Sequence, residues 1–273
     1  MSGIMDNLII VRGGGDLATG TIDKLYRCGF PVLVLEAARP SAIRRNVAFS
    51  EAVYQGMQTV EGLTCTLAGS ISEAEAMLKA GELTLLVDPE GASIAHFRPL
   101  AVVDAILAKE NLGTHRDMAP ITVALGPGFT AGVDVDAVVE TQRGHKLGRV
   151  FYSGTAAPNT GIPGVIGGYG KERVIHSPAA GILRNVAKIT DTVNKGQTIA
   201  VVETKNGDVP VCATLTGLLR GLLRDGYPVP EGFKIADIDP RLEEYGNCFT
   251  ISDKARCIAG GVLEAILHLR RTL

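Results

Sequence analysis

The hydrophobic pattern of the first half alternates short apolar runs with segments of helical spacing. Residues 8–11 and 31–35 are continuous apolar runs, typical of strands buried on both faces of a parallel sheet. Between them, the apolar positions of residues 17–26 recur at helical spacing. This order predicts a strand, a turn, a helix and a second strand within about 30 residues, the length of a βαβ unit.

The same alternation continues to residue 141. The spacing predicts a helix over 70–80, capped by Ser70 or Ser72, and a strand over 84–89. It also predicts a helix over 99–108 and strands over 120–125 and 135–141. Strands that alternate with helices indicate a parallel sheet.

The second half contains an internal repeat at an offset of 36 residues. The repeated segments begin at Gly181 and Gly217 and contain short apolar runs separated by glycine turns. The identical pairs include Gly181/Gly217, Leu183/Leu219, Arg184/Arg220, Val193/Val229, Gly196/Gly232, Ile199/Ile235 and Ala200/Ala236. Two interlocked halves of a small β-sandwich, similar to the biotinyl/lipoyl type, are expected here. An amphipathic helix over 253–269 follows and is expected to return to the first domain or to a partner chain.

These patterns predict an α/β protein. We expect a Rossmann-like parallel-sheet domain that binds a ligand over residues 1–172. An all-β biotinyl/lipoyl-like barrel-sandwich hybrid is expected over 173–242, followed by a C-terminal helical segment over 243–273.

Composition narrows the classes of function. The net charge of −2 provides no basic excess, so nucleic acid is not an expected partner. No apolar run approaches the roughly 20 residues that span a bilayer, and the first residues do not resemble a signal peptide, so we expect a cytoplasmic location. The five cysteines form no Cys-x-x-Cys pair, so neither a disulfide framework nor a metal site is expected.

The turn after the first strand carries a candidate site for a nucleotide. Gly13-x-Gly15-x-x-Ala18 fits the dinucleotide fingerprint, in which glycines permit a tight turn and close approach of a pyrophosphate. Glu36 ends the second strand, where an acid that binds ribose is expected. Gly14 and Asp16 complete the turn; Asp16 would repel phosphate unless it caps the helix. The alternative is a Rossmann-like fold without a cofactor.

Two further segments supply candidate ligand-binding residues. Gly126 and Gly128 follow the strand over 120–125, so they are expected at the carboxyl edge of the sheet. The stretch 142–164 is rich in cations and glycines and is interpreted either as an anion clamp or as a solvated turn before a domain boundary. The candidate residues in this stretch are Arg143, His145, Arg149, Thr160 and Gly161.

Catalytic residues cannot be assigned from motifs. The sequence has no nucleophile–His–acid order, and Gly126-Pro127-Gly128 lacks the Lys-Ser/Thr of a P-loop. Lys205 lies near the tip of the hairpin between the two repeats, where carrier domains hold a modified lysine, but Met-Lys-Met is absent. An unmodified domain used for structure or docking is favoured over a carrier.

Taken together, these segments resemble a known family over nearly the whole chain. The residues that carry the resemblance are the glycine turn, Ala38–Pro40, Arg44-Arg45-x-Val47-Ala48-Phe49, Glu51–Tyr54, Val103–Lys109, Gly126–Phe129, Glu140-Thr141-x-Arg143-Gly144-His145-x-Leu147-Gly148-Arg149 and Asn159-Thr160-Gly161-x-Pro163-Gly164. They resemble the YqeB family of accessory proteins for selenium-dependent molybdenum hydroxylases. The Rossmann part of that family is similar to maturation factors of the XdhC/CoxI type.

The resemblance implies a role in preparing or inserting the molybdenum cofactor, whose phosphate and nucleotide parts suit an anion-binding glycine turn. The expected partners are a molybdenum hydroxylase or other maturation proteins, with homo-oligomers possible in principle. We therefore expect a cofactor-binding or handover protein rather than a turnover enzyme. The alternative is an NAD(P)-dependent oxidoreductase, indicated by Gly13, Gly15, Ala18 and Glu36.

Overall fold

A computed structural model describes residues 4–161 and 164–273. The described chain packs as two units. The first comprises residues up to Pro40, Ala48–Asn159 and Ile251–Leu273, and the second comprises Ser41–Val47 and Thr160–Thr250. The C-terminal helix is therefore part of the first unit, whereas residues 164–172 and 243–250 pack in the second.

The first unit alternates strands and helices as the hydrophobic pattern predicts. Its strands are β1 (Ile9–Arg12), β2 (Val32–Glu36), β3 (Met57–Val60), β4 (Leu63–Ala68), β5 (Leu83–Val87), β6 (Ala101–Asp104), β7 (Ile121–Leu125), β8 (Thr130–Ala131), β9 (Ala137–Val139), β10 (Val150–Phe151) and β11 (Gly154–Thr155). Its helices are α1 (Asp16–Arg27), α2 (Ala52–Gln55), α3 (Ile71–Lys79), α4 (Ile94–Phe97) and α5 (Asp253–Leu269).

Nine of these strands form one sheet, in the order β10-β9-β7-β6-β1-β2-β5-β4-β3. The strands from β4 to β9 in this order pair in parallel, while β3 and β10 add antiparallel edges. β1 lies between β2 and β6, so the chain order reverses beside it. The turn after β1 therefore lies at the topological switch point of the sheet, where open α/β folds bind ligands.

Both faces of the sheet centre are buried. Leu8 and Ile10 pack in a core with Leu78 of α3 and Phe97 of α4. Ile9, on the opposite face of β1, is also fully buried, as expected for a central parallel strand. Helix α3 begins as predicted, because the hydroxyl of Ser70 accepts a hydrogen bond from the N–H of Glu73 at 3.2 Å.

One sequence prediction in the first unit is wrong. The segment 99–108 is not a helix, because Ala101–Asp104 forms the buried strand β6 between β1 and β7. A short apolar run fits either element, and pairing with two neighbouring strands decides the outcome.

The second unit is an all-β sandwich. Its strands are β12 (Val174–His176), β13 (Gly181–Asn185), β14 (Thr192–Val193), β15 (Thr198–Thr204), β16 (Gly207–Cys212), β17 (Gly217–Leu222), β18 (Pro228–Val229) and β19 (Lys234–Asp239). In the described residues they form two sheets, ordered β12-β19-β17-β14 and β16-β15-β13-β18.

The internal repeat explains this topology. Adding 36 to the residue numbers of β13 gives 217–221, within β17, and adding 36 to those of β15 gives 234–240, which covers β19. The two repeats are therefore β12–β15 and β16–β19. Exchanging the repeats converts one sheet order into the other, which means that each sheet contains strands from both halves. The interlocked halves are therefore present. The α/β class, the parallel sheet, the β unit and the C-terminal helix are confirmed. No helix within the described ranges has the length and apolar character needed to cross a membrane.

Candidate functional site

The glycine turn, residues Gly13–Gly15, joins β1 to α1. Gly13 has φ +95°, a conformation that side chains disfavour. A Cβ on Gly13 would also lie 2.9 Å from the carbonyl oxygen of Ala105. Its N–H donates to the carbonyl oxygen of Leu35 at 2.7 Å. Both the backbone and the packing therefore require a glycine at this position.

Gly14 is covered by the segment that contains Phe49 and Ser50. The Ser50 N–H donates to the carbonyl oxygen of Gly14 at 2.8 Å, and the Phe49 N–H donates to the Thr19 hydroxyl at 3.0 Å. A Cβ on Gly14 would lie 2.9 Å from the Ser50 nitrogen. One side of the turn is therefore closed by the chain itself.

Gly15 differs from its two neighbours. It is the N-cap residue of α1, with φ −63° and ψ 177°, which any residue adopts. A Cβ built on it has no heavy atom within 4 Å. α1 begins at the next residue, Asp16, so a glycine N-cap leaves this helix end without an N-cap side chain. The space above Gly15 is open to a ligand, while Ala18 is buried in the first turns of the helix.

Glu36 points its carboxylate at the same turn. Its Oε2 accepts a hydrogen bond from the Gly14 N–H at 2.7 Å, and its Oε1 accepts one from the Ala37 N–H at 2.7 Å. Burial raises the pKa of Glu36 above its ordinary value, and the hydrogen bonds from Ala37 and Gly14 oppose this only in part. The acid predicted at the end of the second strand therefore lies at the turn, where it presents two acceptor oxygens.

A buried polar network that the sequence analysis missed lies directly before the turn. The Arg12 guanidinium donates to the Thr114 hydroxyl at 2.5 Å and to the Pro89 carbonyl at 2.8 Å. The Thr114 hydroxyl in turn donates to Asp104 at 2.6 Å. Burial raises the pKa of Asp104, opposed by hydrogen bonds from Thr114 and Ile106 and by the charge of Arg12. The sequence feature that could have indicated this network is the arginine at the end of an otherwise apolar strand.

Acids at the ends of four parallel strands all accept backbone N–H groups. Besides Glu36, these are Asp88 after β5, Asp104 in β6 and Glu140 after β9. At Asp88, burial acts to raise the pKa, but hydrogen bonds from Ser93, Ala92 and Gly91 outweigh it and lower the pKa. These carboxylates hold the loops at the carboxyl edge of the sheet. In the described parts of the chain, His, Cys, Asp and Glu side chains form no group of three or more that could hold a metal ion.

The glycines after β7 serve the fold of this edge. Gly126 has φ +77° and lies against the Thr141 side chain, and Gly128 has φ +110°. A Cβ on Gly128 would lie 2.8 Å from the backbone of Glu110. Their conformations and packing account for both glycines without a ligand.

The cationic loop, residues 142–149, follows β9. Arg143 forms a two-point ion pair with Asp253, with N–O distances of 2.8 and 2.9 Å. The guanidinium of Arg149 lies 5.4 Å from the centre of the Phe151 ring. His145 and Lys146 are exposed and lie with Arg143 at a cleft. Of the predicted clamp residues, Arg143 thus already has a carboxylate partner within the first unit.

The remaining candidates lie in the second unit. Thr160 and Gly161 are exposed at its start, and Gly161 has φ +67°. Lys205 lies in the turn between β15 and β16, which is also the junction of the two repeats. The Thr204 hydroxyl donates to the Gly207 carbonyl at 2.7 Å and accepts from the Asn206 N–H, so the turn that carries Lys205 is closed.

Comparison with known proteins gives one close relative. No protein-family model matches the chain. The chain is 52% identical over 262 residues to the uncharacterized protein YqeB of Escherichia coli (strain K12). This similarity supports membership of the chain in the YqeB family. The match covers 96% of this chain and 48% of that protein, so the chain spans about half the length of the curated relative it matches.

Similarity to solved structures is weak. The ectoine utilization protein EutE (DoeB) from Ruegeria pomeroyi, with product bound, is 12% identical with a TM-score of 0.27, and the alignment covers 85% of each chain. A succinylglutamate desuccinylase/aspartoacylase from Rhodobacter sphaeroides is 13% identical with a TM-score of 0.28, covering 86% of each chain. Overlap at this level is too low to indicate a common fold.

Proposed function

We propose that the first unit binds an anionic, nucleotide-containing ligand at the glycine turn. The observation that carries this proposal is the open position at Gly15. Neither its backbone conformation nor its packing requires a glycine, yet it forms the N-cap of a 12-residue helix at the switch point of the sheet. A missing side chain at this place allows a phosphate to approach the backbone N–H groups of the helix N-terminus.

The charges at the turn favour a ligand with hydroxyl groups beside its phosphate. The helix dipole favours an anion near Gly15, while the carboxylate of Glu36 disfavours one close to itself. Each Glu36 oxygen already accepts one backbone hydrogen bond, and a carboxylate oxygen has room for a second. We propose that phosphate lies at Gly15 and that sugar hydroxyls donate to Glu36, as in a Rossmann-like domain.

The molybdenum cofactor or its nucleotide form is the ligand that we propose. The support is the 52% identity to YqeB, together with the resemblance to accessory proteins of selenium-dependent molybdenum hydroxylases. The open cradle at Gly15 fits the phosphate of such a group, and Glu36 would accept hydrogen bonds from its hydroxyls. The bound group would supply the molybdenum centre of the hydroxylase, while the residues of this chain hold it for maturation and handover.

A second candidate is an NAD(P)-dependent oxidoreductase. The observation that favours it is the carboxylate of Glu36 at the turn, because an acid at the end of the second strand hydrogen-bonds the ribose of NAD. The two functions differ in which nucleotide the turn accepts.

For the second unit we propose a biotinyl/lipoyl-like fold used for structure or docking, without modification of Lys205. The support is the pair of interlocked repeats with a hairpin at their junction. Mass spectrometry of the peptide that contains Lys205, from protein isolated from its host, tests this. The unmodified peptide mass is expected, and an added biotinyl or lipoyl group on Lys205 would contradict the proposal.

Ligand-dependent thermal shifts test the function of the turn. Purified protein is heated with NAD, NADP, FAD, ATP, CTP or the molybdenum cofactor. A ligand at 100 times its Kd stabilises by about 2.7 kcal/mol, which raises the Tm by several degrees. We expect a response to the molybdenum cofactor or CTP. A response to NAD or NADP alone would favour the oxidoreductase.

A variant pair localises the response. Gly15→Leu fills the open position and is expected to abolish the ligand-induced shift, whatever its own effect on the Tm. The matched control is Gly260→Leu, an equal change at an exposed glycine of α5 whose Cβ has no neighbour within 4 Å. An unchanged shift in Gly15→Leu would refute binding at the turn.

A further inference from the structure

A cleft on the first unit lies beside the cationic loop. Its volume is about 220 Å³, and it is lined by Glu140, Gln142, Arg143, Gly144, His145, Lys146 and Ala157. Glu140, one of the lining residues, is 2% exposed. Its two carboxylate oxygens accept hydrogen bonds from the N–H groups of Gln142 at 2.7 Å and Ala157 at 2.8 Å. The negative charge of Glu140 is thus directed at backbone amides.

The cationic loop that follows Glu140 is held at several points. The ion pair of Arg143 with Asp253 ties it to the start of α5. The Gly148 N–H donates to the Glu140 carbonyl at 2.9 Å, and the Leu147 N–H donates to the Gly144 carbonyl at 3.1 Å. A Cβ on Gly148 would lie 2.8 Å from Cys257, so the loop packs closely on α5. A loop restrained in this way loses little entropy when a ligand binds.

Two side chains of the cleft that can donate hydrogen bonds have no partner in the described part of the chain. The side chains of His145 and Lys146 are exposed and form neither a hydrogen bond nor an ion pair with residues 4–161 or 164–273. Arg143 keeps its charge beside them, and its two terminal nitrogens each donate one hydrogen bond to Asp253. The cleft therefore offers two sets of N–H donors and a positive charge that the protein itself does not use.

We infer that this cleft binds a phosphate group through His145 and Lys146. A phosphate accepts several charge-assisted hydrogen bonds and matches an ammonium beside an imidazole. From the sequence, an anion clamp and a solvated turn remained alternatives for this stretch. The structure assigns the phosphate contacts to His145 and Lys146, with Arg143 in a positioning role.

The place of the cleft in the sheet separates it from the glycine turn. Arg12, Asp104, Ala124 and Val138 are in register across β1, β6, β7 and β9. Strands lie about 4.8 Å apart, so three spacings separate the two sites by about 14 Å along one edge. The adjacent phosphates of a nucleotide cannot span this distance, so we assign the cleft to a separate phosphate-bearing ligand.

Inorganic phosphate tests the cleft independently of any nucleotide. Backbone amide NMR shifts of Gly144 and His145 are followed during titration with phosphate, with chloride keeping the ionic strength constant. We expect saturable shifts that Lys146→Gln and His145→Gln each weaken about tenfold, the factor that corresponds to 1.4 kcal/mol. Lys79→Gln, which removes an exposed lysine of α3, is the control that leaves the titration unchanged. Shifts that do not saturate, or that survive both cleft variants, would overturn the site.

Nucleotide binding tests whether the cleft is separate from the turn. The nucleotide that raises the Tm of the wild type is tested again with Lys146→Gln, and an unchanged shift in Tm is expected. A reduced shift would show that the cleft belongs to the nucleotide site and would overturn its assignment to a separate ligand. Silence of the whole nucleotide panel would refute the proposed function alone, since the phosphate titration reports on the cleft.

Discussion

Gly15 of the glycine turn and the glycines of the repeated strands differ in the space around their α-carbons. In the second unit, Gly181 and Gly217 occupy equivalent places 36 residues apart. A Cβ on Gly181 would overlap the carbonyl oxygen of Glu203, and one on Gly217 would overlap that of Asp239, which is again 36 residues further along. In the first unit, a Cβ on Gly15 would touch nothing.

This difference separates two reasons for a glycine. The repeated glycines are required because two strands approach each other closely, so they are explained by the fold. Gly15 has an ordinary φ and free space, so the fold alone does not explain it. We propose that a bound ligand accounts for this unfilled position at a helix N-terminus and a sheet switch point.

The largest predicted loss of stability concerns the equivalent ion pairs of the two repeats. Arg184 pairs with Glu203 at 2.9 Å, and the equivalent Arg220 pairs with Asp239 at 3.2 Å. The first pair is about half exposed, whereas Asp239 is fully buried. Arg220→Met should cost about 3 kcal/mol, the lower end for a broken buried pair, because Arg241 still donates to Asp239.

The matched variant Arg184→Met should cost less than about 1 kcal/mol, as expected for an exposed pair. Urea unfolding followed by circular dichroism measures both values. Equal costs in the two variants would show that the repeats are not distinguished by burial of their ion pairs.

The next effect concerns the repeated glycines directly. Gly181→Ala and Gly217→Ala each force a methyl group into a backbone carbonyl, and overpacking of this kind costs about 1–3 kcal/mol. Gly260→Ala, the same change on the exposed face of α5, should instead stabilise by about 0.5–1 kcal/mol. Urea midpoints of the three variants provide the test, and a tolerated alanine at both repeat positions would contradict the close approach.

Apolar spacing and the internal repeat predicted much of the fold, because burial of apolar side chains determines where strands and helices form. The strand, glycine turn and helix of residues 9–27 follow from apolar spacing, and the repeat is visible because both halves obey the same packing. The segment 99–108 was misjudged because periodicity does not distinguish a short buried strand from a helix. Ala101–Asp104 forms a strand because it pairs with β1 and β7, which are not adjacent to it in the sequence.

The site was harder to predict because its contacts join residues far apart in the chain. Thr114 lies 102 positions from Arg12, and Asp253 lies 110 positions from Arg143. No spacing rule connects such pairs. The position of Glu36 at the turn was anticipated because the end of β2 lies beside the end of β1 in any βαβ unit.

A smaller effect contrasts the ends of two helices in the first unit. The Ser252 hydroxyl caps α5 by accepting from the Ala255 N–H at 3.2 Å, whereas α1 begins after a glycine. Ser252→Ala should cost about 1 kcal/mol. Ser252→Gly, which resembles the natural state of α1, should cost only a few tenths of a kcal/mol. Chemical denaturation resolves this order, and an equal loss in both variants would mean that the Ser252 hydroxyl has a role beyond capping.

The smallest change in stability is predicted where we expect a marked change in binding. Gly15→Ser supplies α1 with the hydroxyl cap that it lacks, so the free energy of unfolding should rise by a few tenths of a kcal/mol. The same hydroxyl enters the space proposed for phosphate, so the thermal shift caused by the nucleotide should fall. Stability and binding then move in opposite directions, which no purely structural role for Gly15 produces. A clear loss of stability in Gly15→Ser would show that the space is needed by the fold, and an unchanged nucleotide response would place the ligand elsewhere.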